Sequence, residues 1–199
     1  MLAPLRICLP GIRAALALAC ALVFSATQAA ARESALLLAN VLGPQVDVTQ
    51  YLVSEKFDGV RAVWDGTTLR FRSGREVPAP AWWLAKLPPT PLDGELWLAR
   101  GKFDELSGMV RTTPPIDDDW RRVSYLIFEL PDTAGALGDF EQRYARIRQI
   151  VAQVSWPALQ AVEQTRVADR AELKRRLDRV VKAGGEGLML HLANAPYVT

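Results

Sequence analysis

The sequence predicts an α+β fold in which short antiparallel strands form sheets that flank a central site and are themselves flanked by helices. Short runs of β-branched and aromatic residues alternate with turns rich in glycine and proline, which is typical of such strands. Two later segments have apolar residues at the spacing of a long helix. The chain has 199 residues, which is enough for one domain with a sizeable core.

The first 31 residues have the pattern of a secretory signal peptide. Arg6 and Arg13 are followed by an apolar run at residues 14–24, which is too short to span a bilayer. Small residues at 29–31 offer a cleavage site. We therefore expect a periplasmic or secreted protein that is cleaved near residue 31, with a buried helix or a wrongly chosen start as the alternative.

Removal of this leader changes the cysteine content and the charge. Both cysteines, Cys8 and Cys20, lie within it, so the mature chain would have no disulfide and no thiolate metal site. Loss of two arginines would leave 22 of the 24 basic residues to balance 22 acidic residues. A net charge of zero is low for a protein that must follow a DNA backbone.

The residues of greatest chemical interest are Lys-Phe-Asp-Gly-Val-Arg at 56–61. An Asp-Gly pair between two β-prone runs is a strong turn signal. We expect the turn to hold Lys56 at the end of one strand and Arg61 on the next, close to the carboxylate of Asp58. Lys56 is then either a solvated charge or, if a metal, an arginine or partial burial disfavours its ammonium form, a covalent nucleophile.

Apolar and β-branched runs predict the strands. They are expected at residues 51–53, 60–64, 69–71, 92–97, 123–130 and 186–190. The second and third should form a hairpin, while residues 78–91 and 101–111 should each contain a short helix. Trp82 and Trp83 should pack in or over the core. Residues 112–119 should form a loop because they are rich in proline and aspartate.

Two longer helices follow from apolar residues at helical spacing. The first should bury Phe140, Tyr144, Ile147, Ile150 or Val151, and Val154. Its arginines Arg143, Arg146 and Arg148 should form a solvated face. The second should be capped by Asp169, should end at Gly184 and should bury Leu173, Leu177, Val180 and Val181.

Three stretches carry a resemblance to a known family: Ser-Glu-Lys-Phe-Asp-Gly-Val-Arg-Ala at 54–62, Pro-Leu-Asp-Gly-Glu-Leu-Trp at 91–97 and Gly-Gly-Glu-Gly-Leu-Met-Leu at 184–190. They resemble motifs of the covalent nucleotidyltransferases, which include ATP-dependent DNA ligases, RNA ligases and mRNA capping enzymes. In context they are most similar to the small periplasmic ATP-dependent DNA ligases of Gram-negative bacteria, the Lig E type. The resemblance implies an ATP-grasp-like nucleotidyltransferase (adenylation) domain over residues 32–199.

The resemblance also implies roles for single residues around the nucleotide. Lys56 would be the catalytic residue that receives AMP. Ser54 and Glu55 stand where the family's backbone reads the adenine edge, and Arg61 would support the phosphate or the ribose. Arg72 matches an arginine that holds nucleotide phosphate or the DNA end, although an ordinary basic turn is the alternative.

Further carboxylates and an aromatic residue complete the implied site. Glu95 matches the acid that binds the ribose hydroxyl or a metal, and Glu186 matches the acid that binds the catalytic metal, usually magnesium. From the residues alone, Glu95 could instead form a salt bridge. Phe128 matches the aromatic that stacks on the purine, with core packing as the alternative, and Glu129 stands where aspartate is usual.

The implied activity is ATP-dependent sealing of nicked double-stranded DNA in three phosphoryl transfers, with Mg²⁺ or another divalent cation, as used in DNA repair, recombination and replication. The resemblance further implies a fifth motif with two lysines and a C-terminal OB-fold domain. Neither is present up to residue 199, so we expect residues 32–199 to fold but not to seal nicks. We also expect a monomer without membrane association after cleavage.

Three other functions remain open at this point. An RNA ligase or capping enzyme would use the same chemistry. A catalytically impaired nucleotide- or DNA-binding fragment would keep the fold without turnover. An unrelated secreted β-rich binding protein would show no response to ATP.

Overall fold

The Asp-Gly turn at residues 58–59 leads from one β-sheet into another, so it does not close a hairpin between the strands that flank it. The protein is described by a computed structural model that covers residues 40–131 and 135–198. The leader at residues 1–31 and both cysteines lie outside the described residues. Within the described part of the chain, no helix is both long enough and apolar enough to cross a membrane.

The described part of the chain contains seven strands, five α-helices and a short 3-10 helix at Val48–Gln50. The strands are β1 (Tyr51–Lys56), β2 (Val60–Trp64), β3 (Leu69–Phe71), β4 (Leu92–Trp97), β5 (Ser124–Glu129), β6 (Leu159–Ala161) and β7 (Gly187–Leu192). The helices are α1 (Ala81–Leu84), α2 (Phe103–Met109), α3 (Asp117–Trp120), α4 (Phe140–Val154) and α5 (Arg170–Lys182).

These strands form two sheets. The first sheet pairs β1 with β7 in antiparallel register, so that Lys56 lies opposite Gly187. The second sheet has the order β3-β2-β4-β5-β6. Its β2–β3 hairpin and its β2–β4 and β4–β5 pairs are antiparallel, as the sequence predicts, but β6 is a further strand that runs parallel to β5.

The main core lies between the second sheet and the helices. Trp83 is fully buried and makes edge contacts with Trp120 and Trp156, with ring centroids 5.0 and 5.2 Å apart. The buried Tyr125 hydroxyl lies 2.8 Å from the carbonyl oxygen of Ala62, to which it donates. These contacts confirm Trp83 as a core residue, while Trp82 lies at the surface with an exposed fraction of 36%.

Three expectations about local structure are wrong. Residues 117–119 belong to α3 and not to a loop, because three aspartates at a helix N-terminus are favoured by the helix dipole and Trp120 anchors the turn in the core. Arg143 is fully buried and does not join a solvated face. Leu177 and Val181 are 39% and 53% exposed. The side chain of Leu177 lies next to Gly187, and because glycine has no side chain, Leu177 stays partly open to solvent.

Candidate active site

Lys56 is the last residue of β1 and lies beside the start of β7. Its ammonium group donates a hydrogen bond to the Glu186 carboxylate, the residue immediately before β7. The two side chains are 45% and 40% exposed, so this ion pair is open to solvent. Antiparallel pairing of β1 with β7 therefore joins two residues that are 130 positions apart in sequence.

The turn after Lys56 lies directly on β4. A Cβ atom on Gly59 would be 2.3 Å from the carbonyl oxygen of Leu96 and 2.7 Å from Cγ of Glu95, so only glycine fits at this position. The backbone of Gly59 also hydrogen-bonds to the Glu95 carboxylate. This close approach brings the Lys56 turn of the first sheet against Glu95 of the second.

Arg61 and Glu95 lie opposite each other on β2 and β4. Arg61 makes a bidentate ion pair with Asp93, with Nε–Oδ1 and Nη2–Oδ2 distances of 3.0 and 2.6 Å. Its guanidinium carbon lies 5.3 Å from the ring centroid of Phe128 on β5. The predicted residues Arg61, Glu95 and Phe128 therefore share one face of the second sheet.

Asp93 is the site residue that the sequence reasoning missed. Its carboxylate is fully buried, and both its oxygens accept from Arg61, so it fixes the orientation of that guanidinium. A signal for it was present: Asp93 lies two residues before Glu95, and side chains at that spacing in a strand point to the same face. A buried acid there needs a cationic partner, which Arg61 provides.

The electrostatics of this face centre on Glu95. Burial raises the pKa of Glu95 from 4.5 to about 7, and the neighbouring Arg61 opposes that rise. Asp93 raises the pKa further by like-charge repulsion, while Lys56 lowers it. The carboxyl group of Glu95 is therefore close to half-protonated at neutral pH, and an additional cation beside it would favour the carboxylate form.

The other predicted site residues are placed differently. Ser54 is 3% exposed and lies on the same face of β1 as Lys56, two residues away. The side chain of Glu55 points to the opposite face, where Arg100 donates two hydrogen bonds of 2.9 and 2.7 Å to it. Arg72 is exposed in the turn after β3. Asp58 is likewise exposed in the turn that follows Lys56.

Glu129 lies in a buried ion pair. Arg143 of α4 donates hydrogen bonds of 2.8 and 3.0 Å to its two oxygens, and both side chains are at most 2% exposed. His191 Nε2 approaches Glu129 to 3.5 Å. Burial, and to a smaller extent the positive charge of Arg143, lower the pKa of His191 from 6.5 to about 4, so its imidazole is uncharged at neutral pH. The imidazole ring stacks on Phe140.

The carboxylates at the site suit a cation that keeps some of its other ligands. Within residues 40–131 and 135–198, no group of three or more His, Cys, Asp or Glu side chains could enclose a metal ion. Glu186 and Glu95 nevertheless both lie near Lys56. Magnesium commonly binds one or two protein carboxylates and completes its shell with water and phosphate oxygens, which fits this pair better than a site made of protein ligands alone.

Comparison with known proteins supports the resemblance seen in the motifs. No protein-family model matches the sequence. A DNA ligase from Haemophilus influenzae is 32% identical over 176 residues, which are 88% of this chain and 63% of the relative. A solved Lig E DNA ligase, studied for DNA binding with a minimal scaffold, is 36% identical, with a TM-score of 0.77 over 82% of this chain and 64% of its own.

More distant structures support the fold alone. The Chlorella virus DNA ligase-adenylate is 18% identical with a TM-score of 0.64, over 82% of this chain and 61% of its own. The ATP-dependent DNA ligase of bacteriophage T7, solved with ATP, is 19% identical with a TM-score of 0.55, over 74% of this chain and 58% of its own. The resemblance to DNA ligases is confirmed, and the fold is that of their nucleotidyltransferase domain. The chain spans a little under two thirds of the length of the first two relatives.

Proposed function

We propose that this chain, which shares its sequence motifs and its fold with the ATP-dependent DNA ligases, is the adenylation domain of such a ligase and that Lys56 is its nucleophile. The observation that carries the proposal is the position of Lys56. It lies at the end of β1, in contact with Glu186 and within the electrostatic influence of Glu95. Three motifs that are far apart in the sequence thus converge on one amine.

The first step joins AMP to the protein. Nζ of Lys56 attacks the α-phosphorus of ATP, the new P–N bond forms, and the P–O bond to pyrophosphate breaks. Lys56 must first lose a proton to the solvent, to which its side chain is open, and Glu186 is the carboxylate that now accepts from its ammonium group. A cation held by Glu186 would take this partner away from Lys56, which would favour the neutral amine.

Magnesium, when bound, would neutralise negative charge on the phosphates of ATP and on the departing pyrophosphate. Glu186 and Glu95 are the residues that would hold it. Arg61 is kept in place by Asp93, so its charge is available in a fixed orientation on the same face as Glu95. Positioning and charge neutralisation of this kind account for most of the catalysis of phosphoryl transfer.

The later steps and the setting are part of the same proposal. AMP passes to the 5′-phosphate of a nick in duplex DNA, and the 3′-hydroxyl then displaces it to seal the strand. The solved Lig E ligase, 36% identical to this chain, supports DNA as the partner. The N-terminal pattern supports export to the periplasm, and we expect the protein to act there as a monomer in DNA repair, recombination or replication.

The decisive experiment is labelling with ATP that carries radioactive α-phosphate. The full chain is incubated with magnesium and labelled ATP, and the modified peptide is mapped. We expect acid-labile AMP on Lys56 and no label in Lys56→Ala, whereas Lys174→Ala, which changes an exposed lysine on α5, should label normally. Label on another residue, or labelling that persists in Lys56→Ala, would refute the proposal.

The choice of nucleic acid needs a second assay. Nicked duplexes with DNA on both sides of the nick are compared with matched duplexes that carry RNA there. The proposal predicts preferential transfer of AMP to the DNA 5′-phosphate. Preference for the RNA nick would reassign the chain to the RNA ligases, which share the same chemistry.

A further inference from the structure

A groove of about 340 Å³ lies beside β3, the edge strand of the second sheet. It is lined by Phe71, Arg75, Glu76, Pro78, Arg111 and Thr113. Phe71 is the last residue of β3 and pairs with Ala62, the neighbour of Arg61 on β2. The groove is therefore one strand away from the candidate active site and contains none of its side chains.

Two arginines of the groove lie against the same aromatic ring. The guanidinium carbon of Arg111 is 5.4 Å from the ring centroid of Phe71, and that of Arg75 is 6.0 Å away. Arg111 also donates to the carbonyl and the hydroxyl oxygen of Ser107. A cation–π contact restrains a guanidinium through its face, which leaves N–H groups at its edge for a planar or tetrahedral oxyanion.

The charge of this region is not neutralised within the described part of the chain. There, Arg72, Arg75 and Arg111 have no carboxylate within ion-pair distance. Seven described arginines form ion pairs, namely Arg61, Arg70, Arg100, Arg121, Arg122, Arg143 and Arg166. The other described arginines without an ion pair lie on the helices α4 and α5, away from this groove. The one acid of the groove, Glu76, makes no ion pair with a described residue, so the groove with Arg72 beside it keeps a net positive charge.

This local excess of charge matters because the mature chain is expected to be neutral overall. A neutral protein gains its affinity for a polyanion from clusters of cations that its own acids leave free. Phosphate contacts hold a protein in position on a duplex without reading its sequence. Arginines restrained on an aromatic ring at the edge of a sheet suit that task, since less side-chain freedom is lost on binding.

On this charge and geometry, and resting on the function proposed above, we propose that Arg75 and Arg111 bind backbone phosphates of the duplex DNA as it extends past the edge of β3. Arg72 already has a phosphate role implied by the resemblance, and the groove extends that contact away from the nick. The two arginines position the DNA and do not touch the reacting atoms.

The test measures how salt affects binding of the full chain to a nicked DNA duplex. Arg75→Gln/Arg111→Gln removes both charges, and Arg75→Lys/Arg111→Lys keeps them. The matched control, Arg148→Gln/Arg175→Gln, removes two exposed arginines of α4 and α5 that also make no ion pair with described residues. Melting temperatures of all variants report whether they are folded.

Each phosphate contact contributes about 0.9 to the slope of log affinity against log salt concentration. The Gln variant should therefore lose about 1.8 from the slope, so that its defect relative to the unsubstituted protein shrinks by about 12-fold between 50 and 200 mM salt. The Lys variant should keep most of the slope, and the control should keep its full value.

An unchanged slope in the Gln variant would overturn the inference, as would a slope that falls equally in the control or in the Lys variant. Labelling of the unsubstituted chain by ATP separates the two proposals. Label on Lys56 together with an unchanged slope, or with no DNA binding at 50 mM salt, counts against the phosphate-binding groove alone. Absence of label on Lys56 counts against the proposed function.

Discussion

Replacement of Arg143 by methionine tests whether the buried ion pair with Glu129 holds the domain together. The two side chains are 0% and 2% exposed, and Arg143 also donates to the carbonyl oxygens of Gly138 and Ala195, at 2.8 and 3.1 Å. Arg143→Met leaves the Glu129 carboxylate buried without its partner and removes the donors of both carbonyls. Breaking a buried pair in this way costs about 3–5 kcal/mol.

That loss is a large part of the stability of an ordinary domain, which is about 5–15 kcal/mol. For a domain of this size it corresponds to a fall in melting temperature of about 6–20 °C. Lys174→Met is the matched control, because Lys174 makes an ion pair with Asp178 in which both side chains are mostly exposed, at 73% and 60%. An exposed pair on a helix contributes only about 0.3–0.5 kcal/mol.

The assay is urea unfolding of the unsubstituted protein, Arg143→Met and Lys174→Met, monitored by circular dichroism at constant pH. A double variant, Glu129→Gln/Arg143→Met, removes the orphaned charge and should recover part of the loss, since replacing both partners is often close to neutral. If Arg143→Met lowered the free energy of unfolding no more than Lys174→Met does, the argument that this pair is structurally important would be wrong.

Three further predictions concern the site and the pH dependence of stability. Glu186→Ala should slow adenylation of the protein at least 100-fold but change the free energy of unfolding by under about 1 kcal/mol, because its ion pair with Lys56 is exposed. Adenylation rates and melting curves measured in parallel check this. A loss of stability as large as the loss of activity, both expressed as free energies, would make Glu186 a structural residue. Asp93→Asn should lower the adenylation rate by removing the bidentate ion pair that orients Arg61, and a rate equal to that of the unsubstituted protein would show that Asp93 does not position it. The pKa of His191 is about 4 in the folded chain against an ordinary value of 6.5, so between these pH values the unfolded chain binds a proton that the folded chain does not. The free energy of unfolding should therefore fall by up to about 3 kcal/mol as the pH is lowered from 6.5 to 4. His191→Gln should flatten that part of the stability curve, and an unchanged acid dependence would contradict the assignment.

Local features of the fold followed from the sequence because local residues cause them. The β2 and β3 strands have the bounds that their apolar runs predict, and the Asp-Gly-Thr turn between them accepts hydrogen bonds on Asp65 as such turns do. Asp169 begins α5, as predicted, by accepting a hydrogen bond from a backbone N–H group in the first turn. Each of these features is decided within a few residues.

Features that depend on distant partners did not follow from the sequence. The helical spacing of α4 places Arg143 among exposed neighbours, and only the position of Glu129 on β5 explains its burial. Similarly, the Asp-Gly pair at residues 58–59 predicts a turn, but the pairing of β1 depends on β7, which lies near the other end of the described chain. The motifs predict Lys56, Glu95 and Glu186 as site residues, but they do not show how two sheets bring these residues together.

The join between the sheets is what makes the site sensitive to geometry. Lys56 belongs to the first sheet and Glu95 to the second, and Gly59 connects them by a backbone that lies against Leu96 without room for a single carbon atom. Since the same turn donates to Glu95, any shift of the first sheet relative to the second would change both the position of the amine and the environment of the carboxylate. Backbone packing at the turn therefore helps to set the separation of Lys56 from Glu95, the proposed nucleophile and a proposed metal ligand.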